Sequence, residues 1–138
     1  MSKLKRIGWE EYALELAKTA SIRSQDPYKK VGACALDWNN RVLGVAYNGL
    51  APGKNVSSKF WENREQRLPY ILHAEPNLLS LFNRNQARLI AVTLLPCTSC
   101  AKLICCWNIP LVIYHEDYPR DSGALDVFKF YQVKVKKI

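Results

Sequence analysis

The chain has 138 residues, of which 49% are hydrophobic and 23% charged, with no apolar run approaching the ~20 residues of a membrane span. This length and composition predict one globular domain over residues 1–138 with a proper core. The charged N-terminal residues 1–6 have no apolar region after them, which argues against a secretory signal. Five cysteines, an odd number, favour a reducing compartment, so we expect a cytoplasmic protein, in its own cell or in an infected host cell.

The formal net charge is +8, from 20 Lys and Arg against 12 Asp and Glu. A basic balance suits a phosphate-bearing substrate or a nucleic acid, and it equally describes a solvated basic surface. Lys134, Lys136 and Lys137 alternate with apolar residues, which is typical of one face of an edge strand. We therefore do not interpret the basic C-terminal segment as a nucleic-acid-binding arm.

Hydrophobic periodicity predicts elements in the order α-β-β-α-β-α-β-α-β. The predicted helices are residues 9–24, 72–83, 98–107 and 122–130, and the predicted strands are residues 31–38, 41–47, 88–95, 110–114 and 131–136. Asn39 and Asn40 predict a hairpin turn. Residues 48–70 predict a long functional loop with a helical turn near Phe60 and Trp61. Helix–strand alternation in the second half implies parallel strands, hence an α/β fold: a three-layer α-β-α sandwich with a mixed five-stranded sheet.

Two short motifs supply a set of metal ligands, H-A-E at residues 73–75 and P-C-T-S-C at residues 96–100. H-x-E followed by P-C-x-x-C is the signature of zinc-dependent base deaminases. Cys97 and Cys100 lie at a strand-to-helix junction, on roughly one helix face, where unpaired N–H groups favour thiolates. With His73 they make three protein ligands, and three ligands leave a position open for water, as in catalytic zinc sites.

Glu75 can share a pocket with His73 only under one condition. In a regular helix, residues two apart point about 200° away from each other. His73 must therefore stand at the very start of its helix, which Pro69 and the preceding loop permit, and Pro76 is tolerated in a first helical turn. Glu75 is then a proton carrier beside a zinc-bound water and not a ligand.

A fourth ligand would make the site structural, and none stands nearby in the sequence. The distant candidates are His115, Cys34, Cys105 and Cys106. The three cysteines among them are interpreted as reduced core or helix residues.

Further stretches carry a resemblance to a known family. They are R-S-Q-D-P at residues 23–27 with K-V-G-A-C at residues 30–34, Y-N-G at residues 47–49 with Pro52 and Gly53, P-Y at residues 69–70, Asn77, and C-A-K-L-I at residues 100–104. Together with the zinc motifs they resemble the cytidine deaminase superfamily and, within it, closely the deoxycytidylate (dCMP) deaminase family. The resemblance spans roughly residues 9–115.

This resemblance implies hydrolytic deamination of dCMP to dUMP, with release of ammonia from C4 of cytosine. Zinc would activate the attacking water, and Glu75 would protonate N3 and then pass a proton to the departing amine. The resemblance also implies a substrate site, with the backbone at Ala74 beside the base, Asn48 at the sugar, and Ser24, Arg23 and Lys30 as candidates for the 5′-phosphate. Taken alone, Asn48 and Ser24 would be interpreted as a turn and a helix end.

Many members of the family are hexamers that dCTP activates and dTTP inhibits, with Mg²⁺ on the triphosphate. By resemblance, we expect such a homo-oligomer here, with Gly49, Gly53, Asn77 and Arg84 as positions of the regulatory site. The long loop is short of Cys and His, so a second zinc site is not expected.

Two alternatives remain open at this stage. A deaminase of cytosine or adenine in RNA or single-stranded DNA would need a basic groove with stacking aromatics. The long loop offers candidates for it in Trp61, Lys54, Lys59, Arg64 and Arg67. A non-catalytic, zinc-stabilised nucleotide-binding protein is the second alternative, and the intact Glu75 argues against it. Neither a membrane nor a nucleic acid is the expected partner.

Overall fold

Five strands form one mixed sheet in the computed structural model, which describes residues 4–138. Met1, Ser2 and Lys3, part of the predicted domain and of the charged N-terminal segment, lie outside the described residues. In chain order the strands are β1 (Gly32–Asp37), β2 (Val42–Tyr47), β3 (Ala87–Leu94), β4 (Leu111–Glu116) and β5 (Lys134–Lys137). The spatial order is β2-β1-β3-β4-β5. Strand β1 is antiparallel to both neighbours, whereas β3, β4 and β5 are parallel. The predicted mixed five-stranded sheet is confirmed.

Helices cover both faces of the sheet. They are α1 (Trp9–Ser21), α2 (Arg64–Arg67), α3 (Ala74–Leu79), α4 (Thr98–Cys106) and α5 (Ala124–Phe130). Alternate residues of β1 enter two separate cores, because successive side chains of a strand point to opposite faces. Cys34 and Leu36 pack with α1, while Ala33 and Ala35 pack on the side of α3, α4 and α5. This is the predicted three-layer α-β-α arrangement.

Two predicted helices end earlier than their apolar patterns indicate. Helix α1 ends at Ser21, whose hydroxyl donates to the Lys18 carbonyl oxygen at 2.6 Å, and α3 ends before Ser80, whose hydroxyl donates to the Asn77 carbonyl oxygen at 2.7 Å. Serine side chains that bind nearby carbonyl groups compete with helix continuation. The residues after both helices form short turns.

The C-terminal strand begins three residues later than predicted. Tyr131 caps α5, and Gln132 has a left-handed backbone (φ 60°), so β5 starts only at Lys134. Strand β5 pairs with β4 alone and forms an edge of the sheet, as the alternating lysines predicted.

Residues 48–70 form the predicted long loop, and its two ends are joined. Gly49 and Leu72 exchange backbone hydrogen bonds of 3.0 and 2.7 Å. The predicted helical turn is present at Ser58–Trp61, whereas α2 and a second short turn at Leu68–Tyr70 were not predicted. The loop is therefore closed at its base by the Gly49–Leu72 pair and contains short helical segments of its own.

Helix α1 lies directly against the first residue of β1. A Cβ atom at Gly32 would lie 1.8 Å from the carbonyl oxygen of Ala17, so only glycine permits this approach. None of the helices in the described part of the chain has the length and hydrophobicity needed to span a lipid bilayer.

Candidate metal centre and active-site cleft

A cleft of about 700 Å³ opens beside the carboxyl ends of β3 and β4. The lining comes from the starts of α3 and α4, the end of the long loop, residues 116–120, and four residues of the segment before β1 together with Asn48: Asp26, Tyr28, Lys29 and Val31. The carboxyl ends of parallel strands are where α/β sheets usually bind ligands, and the volume lies within the ~300–1,000 Å³ range of small-molecule sites.

His73 and Glu75 enter this cleft together at the start of α3. His73 is the N-cap residue, with extended backbone angles (φ −72°, ψ 157°), and the helix itself begins at Ala74. The helical 200° separation therefore does not apply between the two side chains, as the sequence required. Glu75 is 4% exposed, and burial raises the pKa of its carboxyl to about 7. The cleft thus holds a carboxyl group that can carry a proton near neutral pH.

Cys97 and Cys100 flank the first turn of α4. Cys97 is the N-cap residue, and its Sγ accepts a hydrogen bond from the Cys100 backbone N–H at 3.4 Å. Hydrogen bonds from the Cys100 side chain and from His73 lower the pKa of the Cys97 thiol to about 4. The hydrogen bond to Cys97, together with burial, raises the pKa of Cys100.

The three side chains meet the geometric demands of a tetrahedral zinc site. Their ligand atoms all lie within 4.8 Å of one another, and His73 Nδ1 is 3.3 Å from Cys100 Sγ and 3.5 Å from Cys97 Sγ. Tetrahedral angles with ordinary Zn–N and Zn–S bond lengths place nitrogen and sulfur about 3.6 Å apart. Across residues 4–138 this is the one such cluster of potential ligands, and it has the composition of a three-ligand zinc site.

Comparison with known proteins identifies the family. The family described as "Cytidine and deoxycytidylate deaminase zinc-binding region" matches residues 7–116, which include all three cluster residues and Glu75. The chain belongs to this family. As a member, it is a zinc-dependent deaminase.

Relatives of this deaminase include enzymes from animals and phages. It is 37% identical to mouse deoxycytidylate deaminase, with 95% of this chain and 80% of the relative covered, and 36% identical to the human enzyme, with 84% and 69% covered. Its fold matches that of cyanophage S-TIM5 dCMP deaminase, crystallised with dCMP and dUMP. That match has a TM-score of 0.78 and 26% identity, and covers 93% of this chain and 95% of the other.

The other candidate ligands lie away from the metal cluster of the deaminase. Cys34 is fully buried in the α1 side of the core, where burial raises the pKa of its thiol to about 12. Cys105 and Cys106 belong to α4, and His115 Nδ1 lies 2.7 Å from the Ile138 carbonyl oxygen. Within the described residues, none of the four joins His73, Cys97 and Cys100 as a ligand.

Asp121 supports the start of α4, and the sequence reasoning did not identify it. Its carboxylate accepts hydrogen bonds from the Thr98 backbone N–H at 2.8 Å and the Thr98 hydroxyl at 2.6 Å. These bonds and one from the Gly123 N–H lower the pKa of the Asp121 carboxyl. A Cβ atom at Gly123 would lie 2.4 Å from Thr98 Oγ1, so glycine permits this contact. The D-S-G sequence signals a turn, but not its partner 23 residues away.

Ser24 and Asn48, both predicted to bind substrate, bind each other. The Ser24 hydroxyl donates to Asn48 Oδ1 at 2.8 Å, and the same oxygen accepts from the Val31 N–H at 2.9 Å. Asn48 Nδ2 donates to the Lys29 carbonyl oxygen at 3.0 Å. Asn48 also lines the cleft, so one Nδ2 hydrogen remains for a ligand, whereas Ser24 is buried behind it.

The two predicted phosphate-binding cations point elsewhere. Arg23 lies over the Tyr47 ring, 5.9 Å from its centroid, and Lys30 Nζ donates to the Ser24 carbonyl oxygen. Neither is among the described residues that line the cleft, whereas the neighbouring Lys29 is. Neighbouring side chains of this irregular segment point in different directions, and the roles of Arg23 and Lys30 at the 5′-phosphate stay predictions.

The four residues predicted for regulation lie outside the described cleft lining. Gly49 and Gly53 belong to the long loop, and Gly53 has a left-handed backbone (φ 83°). Asn77 Nδ2 donates to the Tyr47 carbonyl oxygen at 2.9 Å, tying α3 to β2, and Arg84 is exposed. Ala74 is fully buried at the cleft floor.

Proposed function

We propose that the protein hydrolyses dCMP to dUMP and ammonia. One observation carries this proposal: a buried carboxyl group, Glu75, shares one cleft with the three-residue cluster of His73, Cys97 and Cys100. The substrate class is supported by relatives described as deoxycytidylate deaminases and by the fold match to a dCMP-bound phage enzyme.

His73, Cys97 and Cys100 would hold the zinc ion. When bound, zinc supplies a Lewis acid that lowers the pKa of a coordinated water toward about 7. Glu75 accepts a proton at its carboxylate, delivers one to N3 of cytosine, and transfers a proton to the departing amine at C4. Its raised pKa suits this exchange, because a group with a pKa near the working pH both takes and gives protons. The buried Ala74 closes the cleft floor and helps to exclude bulk water.

Assembly into oligomers and regulation by nucleotides are part of the same proposal. We propose a cytoplasmic homohexamer, activated by dCTP and inhibited by dTTP with Mg²⁺ on the triphosphate. The regulatory residues would be Gly49, Gly53, Asn77 and Arg84, which lie outside the described cleft lining and leave it to substrate. The alternative of a deaminase for RNA or single-stranded DNA gains no support from Trp61, because Trp61 is not among the described residues that line the cleft.

The test is deamination by the zinc-loaded protein. Purified protein is incubated with dCMP, cytidine, dCTP and a cytosine-containing oligonucleotide, and loss of the cytosine absorbance band is followed. We expect dCMP to react fastest, and turnover of another substrate with dCMP untouched would refute the substrate assignment. Addition of dCTP or dTTP with Mg²⁺ should raise or lower the rate, and no response to either would refute the proposed regulation.

Replacement of Glu75 tests its proton-transfer role. Glu75→Gln keeps the size and polarity of the side chain but removes the carboxyl group that can accept and donate a proton near neutral pH. We therefore expect bound zinc to remain near one per chain and turnover to fall about 10²–10⁴-fold. Glu11→Gln, on the exposed side of α1, is the matched control and should retain wild-type turnover. Substantial activity in Glu75→Gln would contradict the role.

A further inference from the structure

Arg67 is a buried cation that the chemistry proposed above does not use. It is the last residue of α2, only 6% exposed, and it lines the cleft. Charged side chains are almost never buried unless they are paired, because loss of hydration is costly. Yet Arg67 takes part in none of the ion pairs found in residues 4–138.

The Arg67 guanidinium is held from two sides. Its Nη1 donates to the Trp61 carbonyl oxygen at 3.3 Å, and its carbon atom lies 4.4 Å from the centroid of the Tyr28 ring. The backbone at Tyr28 is in turn fixed by Asp26, whose Oδ1 accepts from the Tyr28 N–H at 2.8 Å. A guanidinium has five N–H donors, and stacking on an aromatic ring leaves its edge available. The side chain is thus oriented, with N–H groups that the described hydrogen bonds do not use.

The other charges of the cleft are neutralised or exposed. Lys29 pairs with Glu116, and Asp117 pairs with Lys137 at 2.8 Å. Asp26 accepts hydrogen bonds from two backbone N–H groups. The remaining charged residues outside the metal cluster and Glu75 are exposed at the rim: Glu62, Arg64 and Arg120. Arg67 is therefore the buried cation of the cleft that has no negatively charged partner among the described residues, and a bound anion would provide that partner.

We propose that Arg67 binds the 5′-phosphate of the nucleotide and thereby sets the preference for nucleotide over nucleoside. The inference rests on the proposed function, which supplies a phosphomonoester as part of the substrate. A planar guanidinium binds two phosphate oxygens at once, with charge-assisted hydrogen bonds. The stack on Tyr28 fixes the guanidinium before the ligand arrives, so little side-chain entropy is lost on binding. The long loop that carries Arg67 thus takes part in substrate recognition.

Product binding tests Arg67 independently of turnover. Calorimetry on the zinc-loaded protein compares dUMP with deoxyuridine, which differs from it only by the phosphate. We expect Arg67→Gln to weaken dUMP binding about 10–100-fold, the range of a lost charged hydrogen-bond pair, and to leave deoxyuridine binding unchanged. Arg67→Lys keeps the positive charge but loses the planar group that binds two oxygens at once and its contact with the Tyr28 ring. Its affinity for dUMP should therefore lie between those of the wild type and Arg67→Gln. Arg41→Gln, on the exposed hairpin, removes the same unit of charge and should change neither affinity.

The outcomes separate this inference from the proposed function. If the wild type binds dUMP no more tightly than deoxyuridine, or if Arg67→Gln weakens both equally, Arg67 does not bind phosphate, whatever the activity. If Arg67→Gln loses phosphate-dependent binding while the wild type fails to deaminate dCMP, phosphate binding by Arg67 is supported and the proposed reaction is refuted. Should Arg67→Gln fail to fold, Arg67→Lys is tested in its place, by the same comparison of its affinity for dUMP with its affinity for deoxyuridine. An oligonucleotide that binds more tightly than dUMP through Arg67 would contradict the monoester assignment in favour of a phosphodiester.

Discussion

Replacement of Asn48 by alanine should destabilise the whole fold as well as alter the cleft. The substitution removes the acceptor of the Ser24 hydroxyl and the Val31 N–H, and the donor to the Lys29 carbonyl oxygen. A buried polar group left without a partner costs about 1–3 kcal/mol, and the lower part of this range applies where water can reach the orphaned group. Because Val31 and Lys29 are not fully buried, we expect the free energy of unfolding to fall by about 2–3 kcal/mol in total.

Urea unfolding of the zinc-loaded protein measures this loss. With a denaturant slope of about 2 kcal/mol/M, the expected decrease lowers the midpoint by about 1–1.5 M. Asn39→Ala removes the same side chain from an exposed hairpin position and should shift the free energy of unfolding by no more than about 0.5 kcal/mol. An unchanged midpoint in Asn48→Ala, accompanied by weaker dUMP binding, would refute the structural role and leave Asn48 as a substrate contact alone.

Two further predictions concern the packing of α1 on β1. Gly32→Ala should lower the free energy of unfolding by about 1–3 kcal/mol or more, because its Cβ would lie 1.8 Å from the Ala17 carbonyl oxygen and backbone must move. Gly8→Ala, with nothing within 4 Å of its Cβ, is the control, and equal thermal stability of the two variants would contradict this account. Burial raises the pKa of Cys34 from 9.0 to about 12. Between these values the unfolded chain binds fewer protons than the folded one, so Cys34 lowers the free energy of unfolding as pH rises, by about 1.4 kcal/mol per pH unit. Unfolding followed from pH 9 to 11 should therefore show a steeper decline in wild type than in Cys34→Ala, and parallel curves would disprove the assignment.

The order and type of the main elements could be predicted because their hydrophobic patterns are local. The apolar periods of α1 and of the five strands, and the Asn39-Asn40 turn, need no knowledge of distant residues. Their ends could not be predicted as well, since Ser21 and Ser80 stop their helices by binding nearby carbonyl groups. The short helix α2 was missed because four residues carry too little periodicity.

The three-residue metal site of His73, Cys97 and Cys100 could be predicted, because its ligands lie in two compact motifs at helix starts. The contacts that complete the site join residues far apart in the chain, and no local pattern reveals them. Asp121 reaches Thr98, and Arg67 reaches Tyr28, across irregular segments. Such irregularity also separates the side chains of neighbouring residues: Lys29 lines the cleft, whereas Arg23 and Lys30, the candidates for the 5′-phosphate, lie outside the described lining.

The bond from Asp121 to Thr98 limits how far the domain could be shortened. The region matched by the family ends at residue 116 and contains His73, Glu75, Cys97 and Cys100, so a fragment cut there would retain the complete motif. It would nevertheless lose the carboxylate that fixes the first turn of α4, and with it Tyr118 and Arg120 from the cleft wall. A designer who wished to transplant the zinc site into a smaller scaffold would therefore have to carry over the segment around residue 121, or replace it with another acceptor at the start of that helix.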